Sequence, residues 1–192
     1  MKHVGTIILM FLLSVAGTAA RAAPAPASTN DTPAGFWQTP AIAGAGRMHP
    51  LPHAAYQPQA NQIYRIVFAV TKAGGKPDEV SPSLERVART VNLYASAGVP
   101  LDHLKFVAVM AGAATRAALD DAHYRQQFGV GNPDLEVIGK LRAAGVDVAV
   151  CGQAIAEHHF RYDWISSQVT LALSALTTIS TLEAQGYVLL PL

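Results

Sequence analysis

The stretch Val146–Phe160, VDVAVCGQAIAEHHF, changes character at Cys151. Ahead of the cysteine, VDVAV is short, β-branched and apolar, which reads as a strand buried in a sheet. Behind it, Gly152 is followed by residues that favour a helix, expected to run to about His159. A strand that passes into a helix through a cysteine and a glycine is half of a βαβ unit, and the rest of the chain repeats that grammar. Upstream, IYRIVFAV (Ile63–Val70) and LKFVAVMAG (Leu104–Gly112) read as strands. Downstream, Gln168–Leu173 and Tyr187–Leu190 supply two shorter ones.

The segments between them have helical spacing. Ser81-Pro82 offers an N-cap and a first-turn proline, and Leu84, Val87, Ala88, Val91 and Ala95 then recur on one face until Gly98 and Pro100. Thr115–Phe128 is expected to form one helix or two short ones. Asn132-Pro133 repeats the cap-then-proline signal, with Leu135, Ile138 and Leu141 before Gly145. A last helix is expected to run through about Gln185. Strands alternating with helices predict an α/β fold with a mostly parallel sheet and helices on both faces.

The N-terminus predicts export. Lys2 and His3 precede the uncharged apolar run VGTIILMFLLSVAG, and small residues follow, so cleavage is expected after Ala20 or Ala23. Removing residues 1–23 takes Lys2 and Arg21 from the 14 basic residues and none of the 13 acidic ones. The remainder is left with a formal charge of about −1, which gives no electrostatic case for nucleic acid or anionic membrane. The chain therefore divides into a signal peptide (1–23), a Pro/Ala-rich lead-in (24–62) and an α/β domain (63–192). The lead-in is expected to be flexible to about Asp31, with Phe36–Tyr56 lying along the domain or a neighbouring subunit. Periplasmic or secreted localisation follows.

An exported chain with a single cysteine has no intramolecular disulfide partner, so Cys151 is either protected by burial or used. Its place at the carboxyl end of a strand is where open α/β sheets gather functional groups. The helix that follows points unpaired N–H groups at the sulfur and favours the nucleophilic thiolate. The competing reading is a small buried apolar residue, since free cysteine is among the most buried types. His158 and His159 stand roughly 10 to 12 Å along the same expected helix, too far to activate the thiol within it, and read as surface residues. His49 and His53 sit in the Pro-rich lead-in with no CxxC, HExxH or carboxylate cluster, so neither a metal nor a cofactor is expected. The Gly-Gly-Lys of TKAGGKPD (Thr71–Asp78) lacks the order of a phosphate loop.

Taken together, FWQTP, PLPHAAYQP, YRIVFAVTKA, SLERVARTVNLYASAGVP, DDAHYRQQFGVGNPDLEVIGKL, VDVAVCGQA and LSALTTISTLEAQGY resemble the DsrE/DsrF-like family, in its exported, signal-bearing branch. That resemblance implies a three-layer α/β/α fold with a five-stranded sheet, and assembly into homotrimers or hexamers. It also implies a persulfide carried on a cysteine equivalent to Cys151 and exchanged with a donor or acceptor protein. Gly152 and Gln153 are expected to supply backbone donors to the sulfur, and Gly112 to shape the opposite wall. Where relatives often show His-Gly after the second strand, this chain has Ala111-Gly112. A non-catalytic oligomeric binding or scaffold module with a structural Cys151 is the alternative.

Overall fold

Each apolar run becomes a strand: β1 (Tyr64–Val70), β2 (Leu104–Met110), β3 (Asp147–Cys151), β4 (Thr170–Ala172) and β5 (Val188–Pro191). The computed structural model describes residues 33–192. The expected signal segment and the first part of the lead-in lie outside them. The strands form one five-stranded sheet in the order β4-β3-β2-β1-β5. Every pairing is parallel.

Successive crossovers step in one direction from β1 to β4, and the last one returns to the far side of β1. Right-handed crossovers place helices from the two directions on opposite faces. Accordingly α1 (Pro82–Ser96) and α3 (Leu135–Ala143) cover one face, and α5 (Ala175–Ala184) packs over β1 and β2 on the other. Two further helices, α2 (Asp121–Phe128) and α4 (Gly152–Glu157), complete the set.

The main core lies beneath α1 and α3, where Phe68 and Phe106 meet edge-to-face at 5.4 Å and Val148 and Val150 close the layer. Helix α1 forms there for the reasons its sequence gives. The Ser81 hydroxyl accepts the Leu84 N–H, Pro82 opens the first turn, and Leu84, Val87, Ala88 and Val91 are all buried. Burying each such Val or Leu side chain contributes about 1.5–3 kcal/mol. On the opposite face Val67, Val109 and Ala149 are also shut off from solvent, yet α5 itself has no buried residue. That layer is thin.

Tertiary contacts set three boundaries: they divide the Thr115–Phe128 region into two short pieces, one of the two expected alternatives, and they move two helix ends from their expected places. Residues Gly112–Ala118 form a 3₁₀ turn and α2 begins only after Asp120. Leu119 makes an antiparallel bridge with Ile165, and the Asp120 N–H donates to the Trp164 carbonyl, so the chain must leave helical geometry between the two. Asn132 does not cap α3. Its amide instead donates to the Ala117 and Leu119 carbonyls, and α3 starts at Leu135. Helix α4 stops at Glu157 rather than His159, because His159 takes a left-handed backbone (φ 58°) and Phe160 N–H folds back to the Ile155 carbonyl.

The lead-in from Ile42 to Met48 lies against α1. Ile42 and Met48 are buried, and Asn92 of α1 binds four backbone groups of the segment. Gly46 approaches so closely that a Cβ there would stand 2.3 Å from the Ala88 carbonyl carbon. Tyr56, by contrast, is fully exposed.

Candidate functional site at the carboxyl edge of the sheet

Cys151 is the last residue of β3 and the N-cap of α4. Strand alternation sets Ala149 and Cys151 on the opposite face from Val148 and Val150, which are in the main core. The thiol therefore belongs to the thinly covered α5 face. Its sulfur accepts the Ala154 N–H at 3.4 Å, so the amide end of α4 is turned onto it, and the residue is 6% exposed.

Gly152 is buried, and the reason is contact with the neighbouring edge strand. A Cβ at this position would lie 2.8 Å from the Ala172 carbonyl oxygen and 3.3 Å from Leu171 Cδ1. Backbone cannot yield as a flexible side chain does. Gly152→Ala is therefore expected to push β4 outward and lower stability by about 1–3 kcal/mol. A urea melt within about 0.5 kcal/mol of the parent would refute that close approach.

Gln153 is exposed, and its side-chain amide donates to the Leu173 carbonyl at 3.2 Å. Together with Tyr162, Leu171, Ala172 and Leu173, these residues line an open cavity of about 340 Å³ whose walls do not include Cys151 itself. The Tyr162 hydroxyl donates to the Gly152 carbonyl at 3.4 Å.

The other wall comes from the end of β2. One step beyond the Met110–Val150 pairing, Ala111 and Cys151 stand level on adjacent strands, and alternation puts both side chains on the α5 face. An imidazole at 111 would thus neighbour the thiol; here there is a methyl group. Gly112 takes a positive φ (55°) and turns the chain into the 3₁₀ segment. Within that segment Thr115 is buried, and its hydroxyl has no hydrogen-bond partner among the described residues.

One residue set aside on sequence grounds returns to the site. His158 is exposed, but its Nε2 lies 3.0 Å from the Gly112 carbonyl and its ring stacks on Phe160 at 5.5 Å. A carbonyl accepts only, so Nε2 carries the proton and Nδ1 is the open nitrogen when the ring is neutral. Counting helical rise from Cys151 missed this, because the partner is a loop 46 residues away in sequence rather than the thiol. The adjacent His159 makes no comparable contact and stays a surface residue. Among the described residues no group of three or more His, Cys, Asp and Glu could hold a metal ion, and no helix is long and apolar enough to cross a membrane.

Comparison with known proteins agrees with this layout. The model of the DsrE/DsrF-like family matches residues 64–192, from the first residue of β1 to the last of the chain. The chain belongs to the DsrE/DsrF-like family. Among solved structures it is similar to the YchN protein from E. coli, with a TM-score of 0.51 and 16% identity over 68% of this chain and 100% of that one. A protein of unknown function from Methanobacterium thermoautotrophicum, MTH1491, superposes with a TM-score of 0.49 at 18% identity, covering 67% of this chain and 99% of its own. Comparison with curated proteins gave no match. At such identity the YchN likeness speaks for the DsrE-type fold alone.

Proposed function

We propose that this chain is an exported DsrE-like protein that binds or relays sulfane sulfur as a persulfide on Cys151. The observation that carries the reading is the Ala154 N–H on the Cys151 sulfur at 3.4 Å, where β3 ends and α4 begins. In the first step the Cys151 thiolate attacks the outer sulfur of a donor persulfide. A Cys151 S–S bond forms, the donor S–S bond breaks, and the electron pair leaves on the donor thiolate. In the second step an acceptor thiolate attacks the outer sulfur of the Cys151 persulfide, takes it over, and returns the Cys151 thiolate. No external oxidant or reductant is consumed. The amides of the first turn of α4 stabilise negative charge on either sulfur species. With a methyl at Ala111, the site has no imidazole beside the thiol from that position. His158 acts on the opposite wall as a positioning residue that pins the Gly112 loop.

Export rests on residues 1–23. Assembly as a homo-oligomer is favoured by the exposed leucines that lead into α5, Leu173 at 72% and Leu176 at 82%. Intact-mass measurement after incubation with a low-molecular-weight persulfide tests the relay. The parent chain is expected to gain the mass of one sulfur atom and to lose it to added thiol, while Cys151→Ser gains nothing. An unmodified parent, or equal modification of Cys151→Ser, would defeat the proposal.

The low exposure of Cys151 favours one competing reading, a scaffold module in which the cysteine only packs. That reading requires native Cys151 to resist iodoacetamide for as long as the chain stays folded. Alkylation in native buffer at a rate near that of the urea-unfolded chain excludes it.

A further inference from the structure

The described arginines differ in whether they have partners. Arg125, Arg142 and Arg161 each pair with an aspartate, and Arg116 donates to the Gly74 and Lys76 carbonyls. Arg47, Arg86 and Arg89 have no acidic partner among the described residues, and all three line one depression of about 490 Å³ between the lead-in and the first half of α1. Like charges gathered in a concavity repel one another, so an unmatched cluster of this kind is complementary to an anion.

The lack of pairing is built in. Glu85 and Arg89 have the i,i+4 spacing at which a helical ion pair normally forms. Glu85 instead accepts the Gly46 N–H at 2.8 Å, and Arg89 Nε donates to the Arg47 carbonyl at 2.9 Å. The Arg89 fork is thus oriented by the backbone with its terminal nitrogens left over. Arg47 is braced differently, with its guanidinium carbon 5.0 Å from the centre of the Trp37 ring. Arg86 makes no side-chain hydrogen bond or ion pair at all among the described residues. The fixed forks match the oxygen spacing of a tetrahedral oxyanion, which arginine binds in bidentate fashion. Glu85, facing the same depression, disfavours an extended polyacid there.

We propose that this depression is a binding site for a tetrahedral oxyanion of the sulfate and phosphate class, as the inorganic ion or as a small organic ester. The proposal is independent of the chemistry of Cys151 and of the face on which the thiol lies. Calorimetric titration of the full chain with sulfate, inorganic phosphate and glycerol phosphate, at ionic strength held constant with sodium chloride, tests it. At least one of them is expected to bind saturably with a Kd of about 1 mM or below. A preference for glycerol phosphate over the two inorganic ions would identify the ester as the natural source, and the reverse order the free ion. Because the exposed Arg86 side chain makes no hydrogen bond or ion pair among the described residues, Arg86→Gln is expected to leave the fold intact and to weaken binding by about tenfold, as loss of a charge-assisted contact should. Arg65→Gln, on an arginine outside the depression, is expected to change nothing. Heats no different from those of chloride, or an Arg86→Gln variant that binds like the parent, would overturn the proposal. So would saturable binding of polyglutamate alone, which would mark a docking surface for an acidic protein instead.

Discussion

Asn92→Ala is expected to destabilise the chain by about 3–5 kcal/mol, far more than the loss of a few side-chain atoms would suggest. Asn92 is fully buried in α1, and every polar atom of its amide is used. Oδ1 accepts from Ala41 N–H at 2.9 Å and Ile42 N–H at 2.8 Å, and Nδ2 donates to the Ala45 and Gly46 carbonyls at 2.9 and 3.0 Å. A single side chain thus stands in for the secondary structure that this stretch of the lead-in lacks. Alanine would leave two donors and two acceptors without partners, each costing about 1–3 kcal/mol if it stays buried. The chain limits that cost by releasing the segment to water, and then loses the burial of Ile42 and Met48. Asn92→Asp offers no escape, because a carboxylate faces the two carbonyls with no proton to give. Urea unfolding measures the loss, and limited proteolysis within residues 41–56 reports the release. A loss below about 1 kcal/mol would mean that the segment is held by its apolar residues alone.

That arrangement shows where sequence reading succeeds and where it stops. The strands were legible because parallel strands covered on both faces must be continuously apolar, and FVAVM (106–110) and VAVC (148–151) are. The start of α1 was legible because Ser81 and Pro82 act on their own helix. Cys151 at the strand–helix junction followed from the same local grammar, and Gly152 beside it. Asn92 was not legible, since mid-helix asparagine looks like an ordinary polar residue and its four partners lie 46 to 51 positions away. The same holds for Asn132, which resembles a helix cap and instead ties two loops together. The His158 contact was hidden for a related reason: rise along a helix fixes its distance from Cys151 but says nothing about Gly112, which arrives from another strand. The arginine depression was equally hidden, because Glu85 and Arg89 have the spacing of a pair and only the fold diverts them.

The stability of the folded chain is expected to fall as pH rises from about 4 to about 6, opposite to the behaviour of a carboxylate held by a salt bridge. Asp134 is the cause. It is 1% exposed, and burial pushes its carboxyl up from 3.8 to about 6, against the Ser81 N–H bond and Arg116, which favour the anion. Glu85 adds to the upward push. The sign follows from proton counting. Between those two values the folded chain still holds a proton that the unfolded chain has released, so each rise in pH favours unfolding. Above pH 6 both forms are ionised and the penalty is constant, about 3 kcal/mol at 1.4 kcal/mol per pH unit. The exposed carboxylates of Asp121, Glu136 and Asp163 work the other way, held down by hydrogen bonds to Arg125, Lys140 and Arg161. Their contribution is fully present only above their unfolded values of 3.8 and 4.5 and is lost as pH drops through their lowered ones, so the Asp134 slope stands unmasked in the upper part of the interval, from about pH 5 to 6. Asp134→Asn keeps an oxygen for the Ser81 N–H and cannot ionise. It is expected to flatten the profile between pH 4 and 6 and, at pH 7, to recover up to about 3 kcal/mol. Urea melts at half-unit pH steps measure both chains. A parent profile that is flat over this interval, or a variant that keeps the parent's slope, would show that Asp134 ionises in the folded chain as freely as it does in the unfolded one.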